Sequence, residues 1–353
     1  MVDEVLWYIP NEAEAGHRGD DTVEGHNSLP RLAKLARGVE DAGWGGALIG
    51  TGWRRPDTFT VGTALAAATT TFQPLIAIRP GYWQPAHFAA SAATLDHLSG
   101  GRVLVNVVSG QDHQAEYGDD EGDQAQRYGR TKEFMRLVRR LWTEESVTHT
   151  GEHYRTEGAT TAMRPVVREG RPHPRLYFGG ASDAAARVGA TEADVQLFWG
   201  EPLDGVAERV ANLRRLEAEL ERDLPPLQFG LRITTVVRET REEAWAEAES
   251  RVERMAKGPA EFARDPRRDQ AHGQQRLVDL AARGDVLDEC LYVAPARHGG
   301  GGAGSTWLVG SAEDVAKALG RYGDLGITHF ILSDTPYERE VERIGRLLLP
   351  RLR

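Results

Sequence analysis

Short apolar runs alternate with longer amphipathic stretches almost from end to end, which predicts an α/β fold on a parallel sheet. Three observations carry this reading. The runs are nearly continuously apolar, as strands covered on both faces must be. A helical pattern follows each of them. Eight such units are present, the number that closes a (β/α)₈ TIM barrel, although periodicity alone also fits an open doubly wound sheet.

The first run, Val5-Leu6-Trp7-Tyr8-Ile9, ends at Pro10, and the helix after it shows Leu32, Leu35, Ala36 and Val39 on one face before Gly43. Strands follow at 47–49 and 74–78, with a helix over 61–69 between them. A helix near 87–97 leads to the run 102–108, and a helix over 130–142 comes next. Then come strand 175–178, a short helix from Asp183, and strand 195–199. The clearest helix keeps Val206, Val210, Leu213, Leu216 and Leu220 on one side. Residues 228–237 read as a strand, and 328–332 as the last one, before a helix bearing Val341, Ile344, Leu347 and Leu348.

The 353 residues exceed the ~250 of a typical barrel, so a single domain over 1–353 must carry insertions. Two stretches break the alternation. Residues about 146–173 are polar and Gly-bearing and read as a small β excursion. Residues about 257–305 are charged and then glycine-rich, and read as a lid.

The composition is that of an ordinary soluble chain, 40% apolar and 27% charged. No run approaches the length of a membrane span, so no membrane role is expected. The net charge of −10, with no basic cluster, argues against nucleic acid as a partner. One cysteine, Cys290, excludes an internal disulfide. With no basic segment at the start, this fits a cytoplasmic location.

Candidate chemistry lies where a barrel presents it, at the C-terminal ends of strands. Asn106 interrupts an apolar strand; it is either a buried amide bonded to neighbouring strands or an amide that addresses the edge of a ring ligand. Arg232 lies within Phe229-Gly230-Leu231-Arg232-Ile233-Thr234. A guanidinium there needs an anion, either an internal carboxylate or a substrate or intermediate matched to its planar fork. Gly179-Gly180-Ala181-Ser182-Asp183 joins a strand to a helix. Free N–H groups, the helix dipole and the Ser182 hydroxyl suit a phosphate there, and an ordinary capped turn is the alternative. Arg127 and Tyr128 could support the same phosphate, or pack at the surface. Arg297 precedes a glycine run that is either a mobile lid delivering it or a plain linker. No metal site is expected: the eleven histidines are scattered, without His-Glu-x-x-His. Gly-x-Ser-x-Gly and a strand-borne Gly-x-Gly-x-x-Gly are absent as well, which argues against a hydrolase elbow and a Rossmann site.

Several segments in order resemble the alkanesulfonate monooxygenase branch of the bacterial luciferase-like flavin monooxygenases. They are Ala93-Thr94-Leu95-Asp96-His97-Leu98-Ser99-Gly100-Gly101-Arg102, Val105-Asn106-Val107-Val108-Ser109-Gly110 and Leu176-Tyr177-Phe178-Gly179-Gly180-Ala181-Ser182-Asp183. Phe198-Trp199-Gly200-Glu201-Pro202, Gly302-Ala303-Gly304 and Gly326-Ile327-Thr328-His329-Phe330-Ile331-Leu332-Ser333 complete the set. The resemblance implies a barrel with a lid inserted after the seventh strand. It implies reduced FMN (FMNH₂) from a separate NAD(P)H-dependent flavin reductase, and reaction with O₂ through a flavin peroxide to cleave a sulfonate. A homodimer or homotetramer is expected with it. Asn106, Arg127, Tyr128, Gly180 and Ser182 match flavin contacts, and Arg232 and Arg297 match the strand and lid arginines, the catalytic candidates.

The substrate side departs from that branch. Arg55 stands where its members have a cysteine, Thr234 where they have a histidine, and Thr335-Pro336-Tyr337 where they have Tyr-Pro-His. Trp199, Arg55, Thr234 and Tyr337 are therefore the substrate-binding candidates, for an organosulfur or other small substrate. An F420-dependent oxidoreductase of the same superfamily and a non-catalytic flavin-binding protein are the competing readings.

Overall fold

The computed structural model describes residues 2–11, 27–52, 55–109, 114–119, 122–168, 170–257, 272–298 and 304–352. From the N-terminus, β1 (Glu4–Ile9), α1 (Leu29–Asp41), β2 (Gly46–Ile49), α2 (Thr58–Ala67), β3 (Gln73–Ile78), α3 (Pro85–Leu98), β4 (Leu104–Val108) and α4 (Gln124–Thr143) alternate. A hairpin of β5 (Val147–Thr150) and β6 (Arg155–Ala159) interrupts them. Alternation resumes with β7 (Arg175–Gly179), α5 (Asp183–Glu192), β8 (Val195–Trp199), α6 (Leu203–Glu219) and β9 (Gln228–Arg238). The insertion carries α7 (Arg241–Lys257), α8 (His272–Leu280), β10 (Val286–Leu287), β11 (Leu291–Tyr292) and β12 (Trp307–Ser311). The chain closes with α9 (Ala312–Asp324), β13 (Ile327–Ser333) and α10 (Tyr337–Leu347).

Strands β1, β2, β3, β4, β7, β8, β9 and β13 pair in parallel, and the β13–β1 and β8–β9 ladders close them into a ring. The open doubly wound alternative is thereby excluded. Closure explains the continuous apolar runs. Leu6, Tyr8, Leu48, Leu75, Leu104, Tyr177, Leu197 and Ile331 fill the inside of the barrel. Their strand neighbours, such as Trp7, Ile49, Ile76, Val105 and Phe178, pack outward against the helices. Burying each such side chain contributes ~1.5–3 kcal/mol.

The motif around Asp96 and Arg102 belongs to this scaffold. Asp96 is fully buried. It accepts the amides of Val103 and Val166 at 3.1 and 2.8 Å. Arg102 donates to the carbonyls of Phe72 and Ala66, each at 2.8 Å. These residues precede β4 and brace the N-terminal end of the barrel, the face that serves stability.

Strand β9 has two jobs. Its first part pairs with β8 and β13 inside the ring, and Thr234–Arg238 run on to pair with β12 of the insertion. The stretch expected as a lid holds α8, β10, β11 and a short turn over Ala294–His298; positions 258–271 and 299–303 lie outside the described residues. The helices α7 and α9 and strand β12 have no counterpart in the sequence reading. In α7 the buried residues are Ala244, Ala248, Arg251 and Val252, too small or too polar to mark an apolar face.

A buried ionic network fastens α7 to the barrel. Arg238 pairs with Glu247 at 2.6 Å, Asp334 at 3.2 Å and Glu340 at 3.1 Å. Arg251 pairs with Asp334 and Glu247 and donates to the Thr335 carbonyl at 2.8 Å. Asp334 and Glu340 are fully buried, a position carboxylates hold only when their charge is matched. The segment fixed in this way, 333–337, faces the barrel mouth.

Candidate functional site

Two groups of residues meet at the C-terminal end of the barrel. The first is built on β4, β7 and the helices that follow them. Asn106 points inward from β4, in register with Ala77 of β3 and Tyr177 of β7. It is 7% exposed. Its Oδ1 has no hydrogen-bond partner among the described residues, which is costly unless something else supplies a donor.

One layer above, β7 ends at Gly179 and turns at Gly180 into α5. A Cβ on Gly180 would overlap the Ala185 Cβ and lie 3.6 Å from the Tyr128 hydroxyl, so glycine is required there and Tyr128 reaches the turn. Ser182 is the N-cap of α5, its Oγ accepting from the Ala185 amide at 3.2 Å. That leaves the O–H able to donate elsewhere. The Gly180 carbonyl is drawn back by Arg209 at 2.6 Å and Gln196 at 3.3 Å. Arg127 sits in the first turn of α4, 8% exposed, and donates to the Gly122 carbonyl at 3.1 Å. Its Nε has no partner among the described residues. Below it, the Arg127 carbonyl accepts from Thr131 and Thr131 accepts from Ser109, which ties the end of β4 to α4.

The second group lies across the barrel. Arg232 points inward from β9, flanked by Trp199 of β8 and Ile331 of β13. It is 5% exposed. It donates to the Ser333 hydroxyl at 2.9 Å, and its Cζ lies 4.6 Å from the centroid of the Tyr8 ring. Arg55, in the loop after β2, reaches the same Tyr8 at its hydroxyl, 3.4 Å away. The Tyr337 ring stands 5.7 Å from that of Tyr8. Thr234 is buried one inward position above Arg232, opposite Ser333.

Trp199, Arg55, Thr234 and Tyr337 are therefore assembled with Arg232 at one end of the barrel. Arg297 is not joined to them here: in the turn 294–298 it pairs with Asp285 and donates to the Ala281 carbonyl, both within the insertion. The insertion reaches the site by another route. Gly273, near the start of α8, packs on Trp199; a Cβ there would lie 2.9 Å from the Trp199 ring and 3.7 Å from the Ala181 Cβ. Arg276 of the same helix pairs with Glu201 at 2.7 Å, and Glu201 with Arg209 at 2.8 Å.

Sequence reasoning missed Tyr8, Arg209, Glu201 and Ser333. Glu201 stands next to Trp199 in a quoted motif and could have been found there. Tyr8 lies in an apolar run like any core aromatic. At the opposite end of the barrel, burial lowers the His329 pKa to about 3, so this inward histidine is neutral and apolar in effect.

Among the described residues no group of His, Cys, Asp and Glu could hold a metal ion, and no helix is long and apolar enough to cross a membrane. Solved structures of the same fold include a riboflavin lyase with modified FMN and the substrate riboflavin, at 20% identity and TM-score 0.77, covering 100% of this chain and 91% of that one. An EDTA monooxygenase from Chelativorans sp. BNC1 matches at 16% identity and TM-score 0.76, over 99% and 92% of the two chains. An F420-dependent secondary alcohol dehydrogenase with an F420-acetone adduct matches at 17% identity and TM-score 0.69, over 100% of both chains. The family model described as luciferase-like monooxygenase matches residues 4–329, spanning the strands that close the barrel and both groups of site residues, and the chain belongs to that family.

Proposed function

We propose that the chain is the oxygenase of a two-component flavin-dependent system. FMNH₂ comes from a separate NAD(P)H-dependent reductase, and O₂ and a small anionic substrate are the other reactants. The observation that carries this reading is the fit of the first group of residues to FMN. A ring system with hydrogen-bonding edges would satisfy the orphaned Asn106 Oδ1. A phosphate would sit on the turn where Gly180 leaves room for it, held by the helix N-terminus and by donors from Ser182, Tyr128 and Arg127. Reduced flavin, when bound, supplies the two electrons with which one oxygen atom of O₂ enters the substrate and the other leaves as water.

This chain's residues do the rest. Arg232 and Arg55 attract and orient an anionic group on the substrate, and a fixed guanidinium stabilises negative charge on oxygen better than solvent does. Trp199 and Tyr337 provide apolar walls. Packing of α8 on Trp199 shields that edge from water. An organosulfur, alkanesulfonate-like compound suits two guanidinia. The replacement of three positions characteristic of the sulfonate branch, by Arg55, Thr234 and Tyr337, favours a substrate other than a simple alkanesulfonate.

The test is an assay with NAD(P)H, a flavin reductase and ¹⁸O₂ over sulfonates, sulfones and carbonyl compounds. One ¹⁸O atom in a product is the expected result. Substrate oxidation that needs F420 and takes no ¹⁸O from O₂ would move the enzyme to hydride transfer.

A further inference from the structure

Tyr8 belongs to no motif in the sequence, yet three parts of the site meet on it. It projects from β1 into the barrel and is 7% exposed. Its ring carries the Arg232 guanidinium, at 4.6 Å, and its hydroxyl takes Arg55 Nη1, at 3.4 Å. The Tyr337 ring packs against it, 5.7 Å away and tilted by 50°. One phenol thus gathers residues from β9, from the loop after β2 and from the start of α10.

A phenol can hold two cations because it offers them different surfaces. The negative face of the ring attracts one guanidinium, and the lone pairs of the oxygen accept an N–H from the other. Backbone contacts fix the arrangement further. Asn11, just past β1, donates from Nδ2 to the carbonyls of Gly50 and Pro56, each at 2.8 Å, and so ties β1 to the loop that bears Arg55. The Asn11 carbonyl also accepts from Arg55, at 3.4 Å. Two like charges held on one neutral residue repel each other, and an anion received between them relieves that repulsion. A planar or tetrahedral oxyanion group offers several oxygens to two forks of N–H donors at once.

We propose that Tyr8 positions Arg55 and Arg232 as a single anion-receiving pair, and that the substrate presents a carboxylate or sulfonate group to it. The proposal rests on the reading above in taking this group as the substrate side.

The test is calorimetric titration with ethanesulfonate, propionate and, as the neutral control, 1-propanol, on protein with and without saturating FMN. FMN affinity is measured on the same samples. Wild type is expected to bind at least one anion and not propanol, and the tighter of the two names the group. Tyr8→Phe keeps the ring and should weaken anion binding several-fold; Tyr8→Leu loses both holds and should weaken it about tenfold or more. FMN affinity should stay within about twofold of wild type in both, since a positioning role concerns the anion alone. Should Tyr8→Leu not fold, a double-mutant cycle decides: adding Tyr8→Phe to Arg55→Gln should cost no more than Arg55→Gln by itself. Additive losses in that cycle, undiminished binding in the folded Tyr8 variants, or a wild type that prefers propanol or binds neither anion would overturn the proposal. Anion binding that depends on Tyr8 in a protein with no affinity for FMN would instead sink the flavin reading and leave the role of Tyr8 standing.

Discussion

Arg209 donates to the Gly180 carbonyl at 2.6 Å and at the same time pairs with Glu201 at 2.8 Å. The arrangement orients the turn by its carbonyl, so that the amides on the other side of the peptide planes are left for a ligand. Because Glu201 also holds Arg276 of α8, the insertion is linked to that turn through three side chains.

Arg276→Met should therefore weaken FMN binding although its partner, Glu201, lies beyond the turn itself. The expected loss is about three- to tenfold, within the ~0.5–2 kcal/mol that such relayed contacts carry. Fluorescence titration with FMN checks it, and an unchanged dissociation constant would show that the insertion does not act on the turn.

Ser182→Ala removes a hydrogen bond to a charged phosphate and an N-cap together. FMN affinity should fall by ~1.5–3 kcal/mol, while the melting point records only the loss of the cap, ~1 kcal/mol. Equal flavin affinity in mutant and wild type would remove the phosphate from this turn.

Arg232→Met should fold and bind flavin but lose turnover by about a hundredfold or more, the scale of losing one preorganised donor. Arg232→Lys should fail too, since an ammonium cannot reproduce the guanidinium fork over Tyr8 and toward Ser333. Comparing melting temperature, flavin affinity and coupled product formation in the three proteins separates a site role from a folding role. Wild-type turnover in a well-folded Arg232→Met protein would end the assignment.

Acid should loosen the contact between α7 and the barrel. Hydrogen bonds and charge from Arg238 and Arg251 outweigh burial and hold the Glu247 carboxyl at about 2, below its usual 4.5. A depressed carboxylate stabilises the fold fully above its unfolded pKa, and that contribution is lost as pH falls through the folded value. Stability should thus drop between about pH 5 and pH 2, and Glu247→Gln should flatten that part of the melting-temperature profile. An identical profile in the mutant would mean that Glu247 does not titrate with unfolding.

The eight barrel strands were legible because both of their faces are buried, and continuous apolar runs mark them without ambiguity of length. The flavin-side residues were legible through Gly180 and Ser182, where a strand-to-helix turn has a recognisable chemistry. Tyr8 was not: its role depends on Arg55 and Arg232, 47 and 224 positions away in the chain, and nothing local separates it from Leu6. Helix α7 was hidden for the opposite reason. Its anchor is charged, through Arg251 and Glu247, whereas sequence periodicity registers apolar faces only. Arg297 was singled out beside a glycine run, but a neighbour in sequence cannot reveal that Asp285 engages the guanidinium.

The central claim is that reduced FMN binds where Asn106, Gly180 and Ser182 converge. Anaerobic titration of wild type and Asn106→Leu with FMNH₂, and with reduced F420 alongside, tests it most directly. Micromolar or tighter binding of FMNH₂ by wild type is predicted, with weaker binding of F420 and a clear loss in Asn106→Leu, whose side chain cannot meet the polar edge of the ring. Preferred binding of F420, or FMNH₂ affinity indifferent to Asn106, would contradict the account.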